Sequence, residues 1–138
     1  MTEPGERIVR LAALCDHGLV GQDGKVSLIG IFRNISVSAL PAEHPRMFLV
    51  AVLALEPGPH GVVIRMRRPD GSQAMPNPPE LSVHGVAGQD VNVMVELNKL
   101  TFGAYGVHLF DLEVDGVVAH TLPVAIGQMQ QPTPGRSN

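Results

Sequence analysis

The sequence predicts an all-β fold, a two-sheet antiparallel β-sandwich of the immunoglobulin or jelly-roll type with about eight or nine strands. Two observations lead to this class. Apolar residues recur at a period of two along several runs, and turn-forming residues (15 glycines and 12 prolines) fall between the runs. A period of two is typical of strands, because successive side chains point to opposite faces of a sheet.

The strands are expected at nine places along the chain, each a run that ends at a turn signal. In order, they are residues 8–15, 25–32, 34–39, 46–55, 61–68, 80–86, 91–100, 107–114 and 117–126. The alternation is clearest in the seventh strand, where Val91, Val93, Val95 and Leu97 occupy every second position. It predicts strands with one face on the core and one face in water.

Three Asp-Gly pairs mark candidate hairpin turns: Asp23-Gly24, Asp70-Gly71 and Asp115-Gly116. Asp-Gly suits a type I′ turn, because both central residues of that turn need a positive φ. The proline-containing stretches 41–45 and 76–79 are predicted to be loops. Residues 127–138 are polar and contain two prolines, so we expect one domain over residues 1–126 and a disordered tail after it.

The run 47–55 is apolar at every position. A strand with one face in water alternates, so both faces of this strand are expected to be covered. The cover is either another part of the chain or a partner protein, and a second copy of the chain, as in a homodimer, is the simplest partner. If a partner supplies it, the expected interface residues are Phe48, Val50, Val52, Ile29 and Ile31.

Composition argues against several classes of protein. With 44% hydrophobic and 17% charged residues, the 138-residue chain is expected to fold. Its net charge of −3 argues against nucleic-acid binding and polybasic membrane binding. No apolar stretch approaches the roughly 20 residues of a transmembrane helix. The single cysteine, Cys15, allows no internal disulfide, and with no visible secretory signal we expect a cytoplasmic protein.

Four segments together resemble a bacterial family of small uncharacterised all-β proteins that carry a domain of unknown function. They are LCDH at 14–17, GKVSLIGIF at 24–32, HPRMFLV at 44–50 and VDG at 114–116. The resemblance spans about residues 8–126. It implies an all-β sandwich and brings no activity or cofactor. The chain departs from the family pattern at Cys15, where alanine is usual, and at His108, where a late tyrosine falls.

A few residues are candidates for ligand contacts: Asp16 and His17 at the end of the first strand, and Tyr105 in a later loop. Asp16 is expected to form a turn with its own backbone. His108 follows the apolar face of its strand. It is therefore expected to be buried and neutral, with one ring N–H donated to a backbone carbonyl.

Known motifs for metal, cofactor or nucleophilic chemistry do not occur. The six histidines form no HxH or HExxH pair, and neither GxSxG nor a phosphate-binding loop is present. We therefore expect no cofactor and no metal, although the sequence leaves open a metal site built from distant strands.

The arginines are expected to serve the surface. Arg65 and Arg67 share one face of a strand by their spacing, which favours a solvated strand face over a phosphate site. Arg46 is expected to pair with a carboxylate such as Glu43 or Glu56.

These observations favour a non-enzymatic interaction module that associates with itself or with a protein partner. The alternative is a small-ligand-binding protein or an enzyme whose site is assembled from loops. A deep cavity with converging polar groups would favour the alternative, and a flat apolar patch would favour the module.

Overall fold

The computed structural model describes residues 8–130, which form nine strands in two sheets. Each predicted strand is present, and the all-β sandwich is confirmed. The strands are β1 (Val9–Val20), β2 (Val26–Ile31), β3 (Asn34–Val37), β4 (Ala42–Leu53), β5 (Gly58–Arg67), β6 (Glu80–Gly85), β7 (Val91–Phe102), β8 (Gly106–Val114) and β9 (Val117–Gln128). β9 runs past residue 126 to Gln128, and the rest of the expected tail, from 131 onward, lies outside the described residues.

The first sheet has the strand order β2-β1-β4-β7 and is antiparallel. The second has the order β3-β9-β8-β5-β6, and in it β3 runs parallel to β9. The expectation of antiparallel sheets is therefore wrong at this edge. Only Phe32 and Arg33 separate β2 from β3, so the chain crosses to the second sheet there without forming a hairpin.

The core lies between the sheets and is built from the alternating positions of the sequence. Its buried residues include Val62, Ile64 and Met66 of β5, Val93, Val95 and Leu97 of β7, and Phe110, Leu112 and Val114 of β8. On β7 the alternation changes phase at Lys99, whose φ is +54°. Leu100 and Phe102 then face the core in place of odd-numbered residues. The sequence carries the signal of this change, because the polar pair Asn98-Lys99 separates the apolar Leu97 from the apolar Leu100 and Phe102.

The predicted loop at 41–45 is wrong, because β4 begins at Ala42. Its first residues pair with the end of β7, with Ala42 opposite Phe102 and His44 opposite Leu100. The ladder skips only Pro45, which has no N–H to donate, and Lys99 opposite it. Pairing with the long strand β7 outweighs the local preference of Pro41 and Pro45 for a loop. By contrast, 76–79 is a loop as predicted.

The turn at Asp115-Gly116 matches its prediction. It joins β8 to β9 with two residues, and their φ values of +52° and +82° are those of a type I′ turn. Gly24 and Gly71 also have positive φ, but their aspartates do not, so those two turns are of other types.

Both faces of the apolar strand β4 are covered, as the sequence predicts. Met47, Leu49, Ala51 and Leu53 face the sandwich core, where each is 0% exposed. Phe48 and Val50 point to the opposite side, yet they are only 6% and 0% exposed. They form a second apolar cluster with Cys15, to which Val26, Leu28 and Met94 contribute.

The cover of that second face is the hairpin of β1 and β2. β1 pairs with β4 only as far as Cys15, and beyond Cys15 it pairs only with β2. The hairpin then lies across the outer face of the sheet: Gly18 packs against Val50 and Met94, and Asn92 of β7 donates a hydrogen bond to the Gly24 carbonyl at 3.3 Å. The chain therefore covers β4 by itself, and the burial of β4 needs no partner.

We predict that Gly85→Ala destabilises the fold. Gly85 is buried at the end of β6, and a Cβ there would overlap the Glu56 carbonyl oxygen and lie 3.2 Å from the Leu55 Cβ. Backbone has to move to make room, which costs on the order of 1–3 kcal/mol of unfolding free energy. Urea unfolding of the parent chain and the variant measures this loss of unfolding free energy.

The matched control is Gly127→Ala on β9. A Cβ at Gly127 meets nothing within 4 Å, and its φ is not positive. This variant should unfold within about 0.5 kcal/mol of the parent chain. Equal stability of the two variants would contradict the close approach at Gly85.

Candidate functional site

The three predicted ligand-site residues do not converge. Asp16 and His17 lie in β1 at the bend after Cys15. β1 continues to Val20, so the turn that was expected at Asp16 does not form. Tyr105 is 40% exposed in the connection between β7 and β8. Asp16 is exposed and its carboxylate packs against Gly30.

His17 is instead grouped with Arg46 and Phe48. Its Nδ1 lies 3.3 Å from Nη2 of Arg46, and its ring meets the Phe48 ring edge-on with centroids 5.2 Å apart. A guanidinium only donates, so His17 Nδ1 is the acceptor in this contact. The Arg46 guanidinium also lies 5.1 Å from the Phe48 ring centroid. Its Nε pairs loosely with Glu96 at 3.5 Å, so the expectation of Glu43 or Glu56 as its partner is wrong.

The predicted interface residues divide into two groups. Phe48 and Val50 are buried beneath the β1–β2 hairpin, and Val52 is half-buried. Ile29 and Ile31 of β2 are 57% and 61% exposed. Only these two therefore offer a substantial apolar surface to another molecule.

Leu19 joins them on the outer face of the hairpin. Ile29 lies opposite His17, so it shares the face of the hairpin that carries Leu19, whereas Ile31 lies opposite the buried Cys15, beyond Gly30 with its φ of +71°. Leu19 is 42% exposed. We call Leu19, Ile29 and Ile31 the hairpin stripe. Sequence reasoning missed Leu19 because it ended the first strand at residue 15; the spacing of Cys15, His17 and Leu19 was the available signal.

The two arginines of β5 form ion pairs within the chain. Arg65 and Arg67 do share the outer face of β5, as predicted, but each meets a carboxylate of β8. Nε of Arg65 donates to Glu113 at 2.7 Å, and Arg67 donates twice to Asp111, at 2.7 and 3.0 Å. Thr121 of β9 donates to Asp111 at 2.7 Å.

Asp111 is nearly buried among these donors, with 5% of its surface exposed. Burial alone would raise its pKa, but the hydrogen bonds from Arg67 and Thr121 outweigh burial and hold the pKa below the usual value. Arg67 and Asp111 therefore form an ion pair, and this pair links β5 to β8.

Cavities that open on the described surface include the following three. One of about 520 Å³ is lined by Ser38 and residues 128–130, and one of about 510 Å³ lies beside Arg10 and Asp90. The third, of about 310 Å³, lies between β1 and β9. None of these three is lined by Asp16, His17 or Tyr105.

Potential metal ligands are dispersed. Within residues 8–130, no three His, Cys, Asp or Glu side chains gather closely enough to hold a metal ion. Cys15 is fully buried, and burial raises the pKa of its thiol. It therefore lacks the lowered pKa that makes a thiol nucleophilic.

A family model described as a family of unknown function, DUF6941, matches residues 10–127. This match covers β1 to β9 almost end to end. The chain belongs to the DUF6941 family. No curated protein is detectably similar to it. In the described part of this DUF6941 chain, no helix has the length and apolar character that crossing a bilayer requires.

His60 holds one end of this DUF6941 sandwich together. Its Nδ1 donates to the Asp115 carboxylate at 2.6 Å, and its Nε2 donates to the Glu56 carbonyl at 2.7 Å. Asp115 also accepts from the Gly61 N–H at 2.9 Å. Three segments thus meet at one ring: the β4–β5 connection, the start of β5 and the β8–β9 turn.

Both ring nitrogens of His60 face acceptors, so the doubly protonated ring fits best. The hydrogen bond to Asp115, and then the bond to Glu56, raise the pKa of His60. The same bond to His60 lowers the pKa of Asp115. No sequence motif marks this group, because residues 60 and 115 meet only through the pairing of β5 with β8.

His108 behaves as its sequence position predicts. It is 1% exposed, its Nδ1 donates to the Gly106 carbonyl at 3.4 Å, and its ring meets Phe102 edge-on at 5.0 Å. Burial lowers its pKa, so the folded protein holds it neutral. It contributes to the core, at the position where the family resemblance places a tyrosine.

We predict that Arg67→Met lowers stability and that adding Asp111→Leu recovers most of the loss. The single change leaves the Asp111 carboxylate nearly buried without its charged partner, which is costly, whereas the double change replaces the pair by apolar contacts. Urea midpoints of the parent, both single variants and the double variant measure this. A double variant as unstable as the sum of the singles would contradict the pairing.

We predict opposite pH dependences for the two histidines. His60 has a raised folded pKa, so its stabilisation is complete below its unfolded value near 6.5 and is lost as pH rises through the folded pKa. His108 has a lowered folded pKa, so its contribution is complete above the unfolded value near 6.5 and is lost as pH falls from that value through the folded pKa.

Urea unfolding between about pH 5.5 and pH 8.5 separates the two effects. The stability deficit of His60→Gln should shrink as pH rises, and that of His108→Leu should shrink as pH falls. A His60→Gln deficit that is constant or grows toward high pH would contradict the raised pKa.

Proposed function

We propose that this DUF6941 protein is a non-enzymatic interaction module that associates with a second copy of itself through the hairpin stripe. The observation that carries the proposal is the exposure of Leu19, Ile29 and Ile31, at 42%, 57% and 61%, on the two paired strands of one hairpin. Adjacent exposed apolar side chains of this size favour an interface.

The hairpin presents the stripe from a fixed position. Its inner residues Val26 and Leu28 pack on the cluster of Cys15, Phe48 and Val50, and its tip is hydrogen-bonded to β7. The stripe is therefore ordered before any partner arrives, and binding loses little further conformational entropy.

The stripe suits a second copy because a two-fold axis sets the same patch against itself. An uncharged apolar stripe complements its own copy, whereas a patch of like charge would repel. β2 is also the outermost strand of its sheet, and residues 26–32 contain neither a charge nor a proline. Charged residues and prolines usually discourage pairing between edge strands, so β2 lacks this protection.

The stripe is small, which sets the expected strength of association. Three side chains and one short strand give an interface at the low end of the range for specific complexes. We therefore expect a reversible dimer that dissociates on dilution.

Sedimentation velocity of the full chain tests the proposal between about 10 µM and about 1 mM, which spans weak affinities. The parent chain should shift from monomer to dimer across that range. The variant Leu19→Ser/Ile29→Ser should stay monomeric over the same range, because it removes two thirds of the stripe.

Val117→Ser is the matched control, since Val117 is 65% exposed but lies at the β8–β9 turn. It should dimerise as the parent does, and near-parental thermal unfolding of all variants confirms their folding. A parent chain that is monomeric throughout, or a stripe variant that dimerises as well as the parent, would overturn the proposal.

A further inference from the structure

A groove of about 310 Å³ runs between the two sheets on the side where β2 crosses to β3. Residues 12–14 of β1, 31–33 of the crossing and 120–123 of β9 line it. The crossing is hydrogen-bonded to both walls: Phe32 N donates to Leu14 O at 3.1 Å, and Ala125 N donates to Arg33 O at 2.8 Å. It closes one end of the groove.

Both walls of the groove are strand edges. β1 pairs with β4 from Val9 to Cys15 on one side, but β2 pairs with its other side only from Cys15 onward. β9 pairs with β8 along its length, but β3 pairs with its other side only from Ala125 onward. Among residues 8–130, no strand therefore pairs with these edges where they line the groove.

The two hydrogen bonds of the crossing show which main-chain groups point into the groove. In an antiparallel ladder, the N–H and C=O of every second residue point to the same edge. Because Leu14 O and Ala125 N point to the crossing, the main-chain groups of Ala12 and Thr121 and the carbonyl of Pro123 also point to the groove. A proline at this position fits an open edge, since its missing N–H costs the β8–β9 ladder nothing.

The side chains of the groove add a charge preference. Ala12 and Ala13 are small and leave space, and the partly buried Leu122 supplies an apolar contact. Arg33 is charged and His120 is titratable, and no carboxylate lines the groove. An acidic ligand is therefore favoured over a basic one.

We infer that this groove binds an extended acidic peptide, which adds a strand to the open edge of β9. The main-chain N–H of Thr121 donates to the peptide, and the main-chain carbonyls of Thr121 and Pro123 accept from it. Small apolar side chains of the peptide fill the space beside Ala12, and a carboxylate of the peptide pairs with Arg33. The edge from 120 to 123 spans about 13 Å, so a peptide of about four to six residues fits. This site lies apart from Leu19 and Ile29, and it does not rest on self-association.

A capped, fluorescein-labelled hexapeptide of alternating valine and threonine with a glutamate at each end is the probe. Fluorescence anisotropy with the full chain should show saturable binding. The same peptide N-methylated at alternate residues should bind at least about tenfold more weakly, because it lacks the main-chain donors of a strand. Equal binding of the two peptides, or no binding of the first, would overturn the inference.

Two protein variants test the charge preference. Arg33→Glu should weaken binding of the acidic peptide several-fold, and Lys25→Glu, which makes the same charge change on the hairpin loop, should leave it unchanged. The variant Leu19→Ser/Ile29→Ser should bind the peptide as the parent does, so failure of dimerisation and failure of peptide binding are distinguishable. Equal weakening by Arg33→Glu and Lys25→Glu would show only a net-charge effect and would overturn the site.

Amide hydrogen exchange locates the peptide on the edge. The Thr121 N–H should exchange fast in the free chain and slow by about tenfold or more with saturating peptide. The Leu122 N–H, which points to β8, should be slow in both states. Slow exchange of Thr121 in the free chain would mean that the edge is already occupied and would overturn the inference.

Discussion

The packing of the β1–β2 hairpin onto Phe48 and Val50 is the constraint on which the rest of the structure depends. A strand that is apolar on both faces needs two covers, and a sandwich supplies only one. The chain supplies the second by bending β1 away from its sheet after Cys15, so that Val26 and Leu28 reach the outer face of β4. Without the bend, the outer face of β4 would lie in water, at a cost of roughly 2 kcal/mol for each large side chain.

The same bend creates both of the surfaces to which we assign binding. Once β1 leaves its sheet, the hairpin has an inner face that is buried and an outer face that carries the hairpin stripe. Because β2 pairs with β1 only beyond Cys15, the earlier part of β1 keeps an open edge. The short crossing to β3 then covers β9 only from Ala125 onward, which leaves the second open edge opposite the first.

Much of this fold could be predicted from local sequence, because alternation and turn residues report which face of a strand is buried. The nine strands, the burial of His108 and the type I′ turn at Asp115 are of this kind. The bend after Cys15 could not be predicted, since its direction depends on which residues cover β4, and the nearby glycines, Gly18 and Gly30, do not by themselves specify that direction. His60 with Asp115, and Arg67 with Asp111, also escaped sequence reasoning, because each pair meets only through the register of β5 against β8.

Several charged groups of β5, β8 and the β8–β9 turn are paired within the chain, and this pairing supports the recognition role that we propose. Arg67 and Asp111 satisfy each other, and His60 is held between Asp115 and the Glu56 carbonyl. Groups bound in this way stabilise strand pairing and are poorly placed to exchange protons with a substrate. What the surface offers instead is apolar side chains on the hairpin and main-chain groups on two strand edges. Such groups suit the proposed recognition of the shape and backbone of another polypeptide, because a rigid sandwich presents them without rearranging.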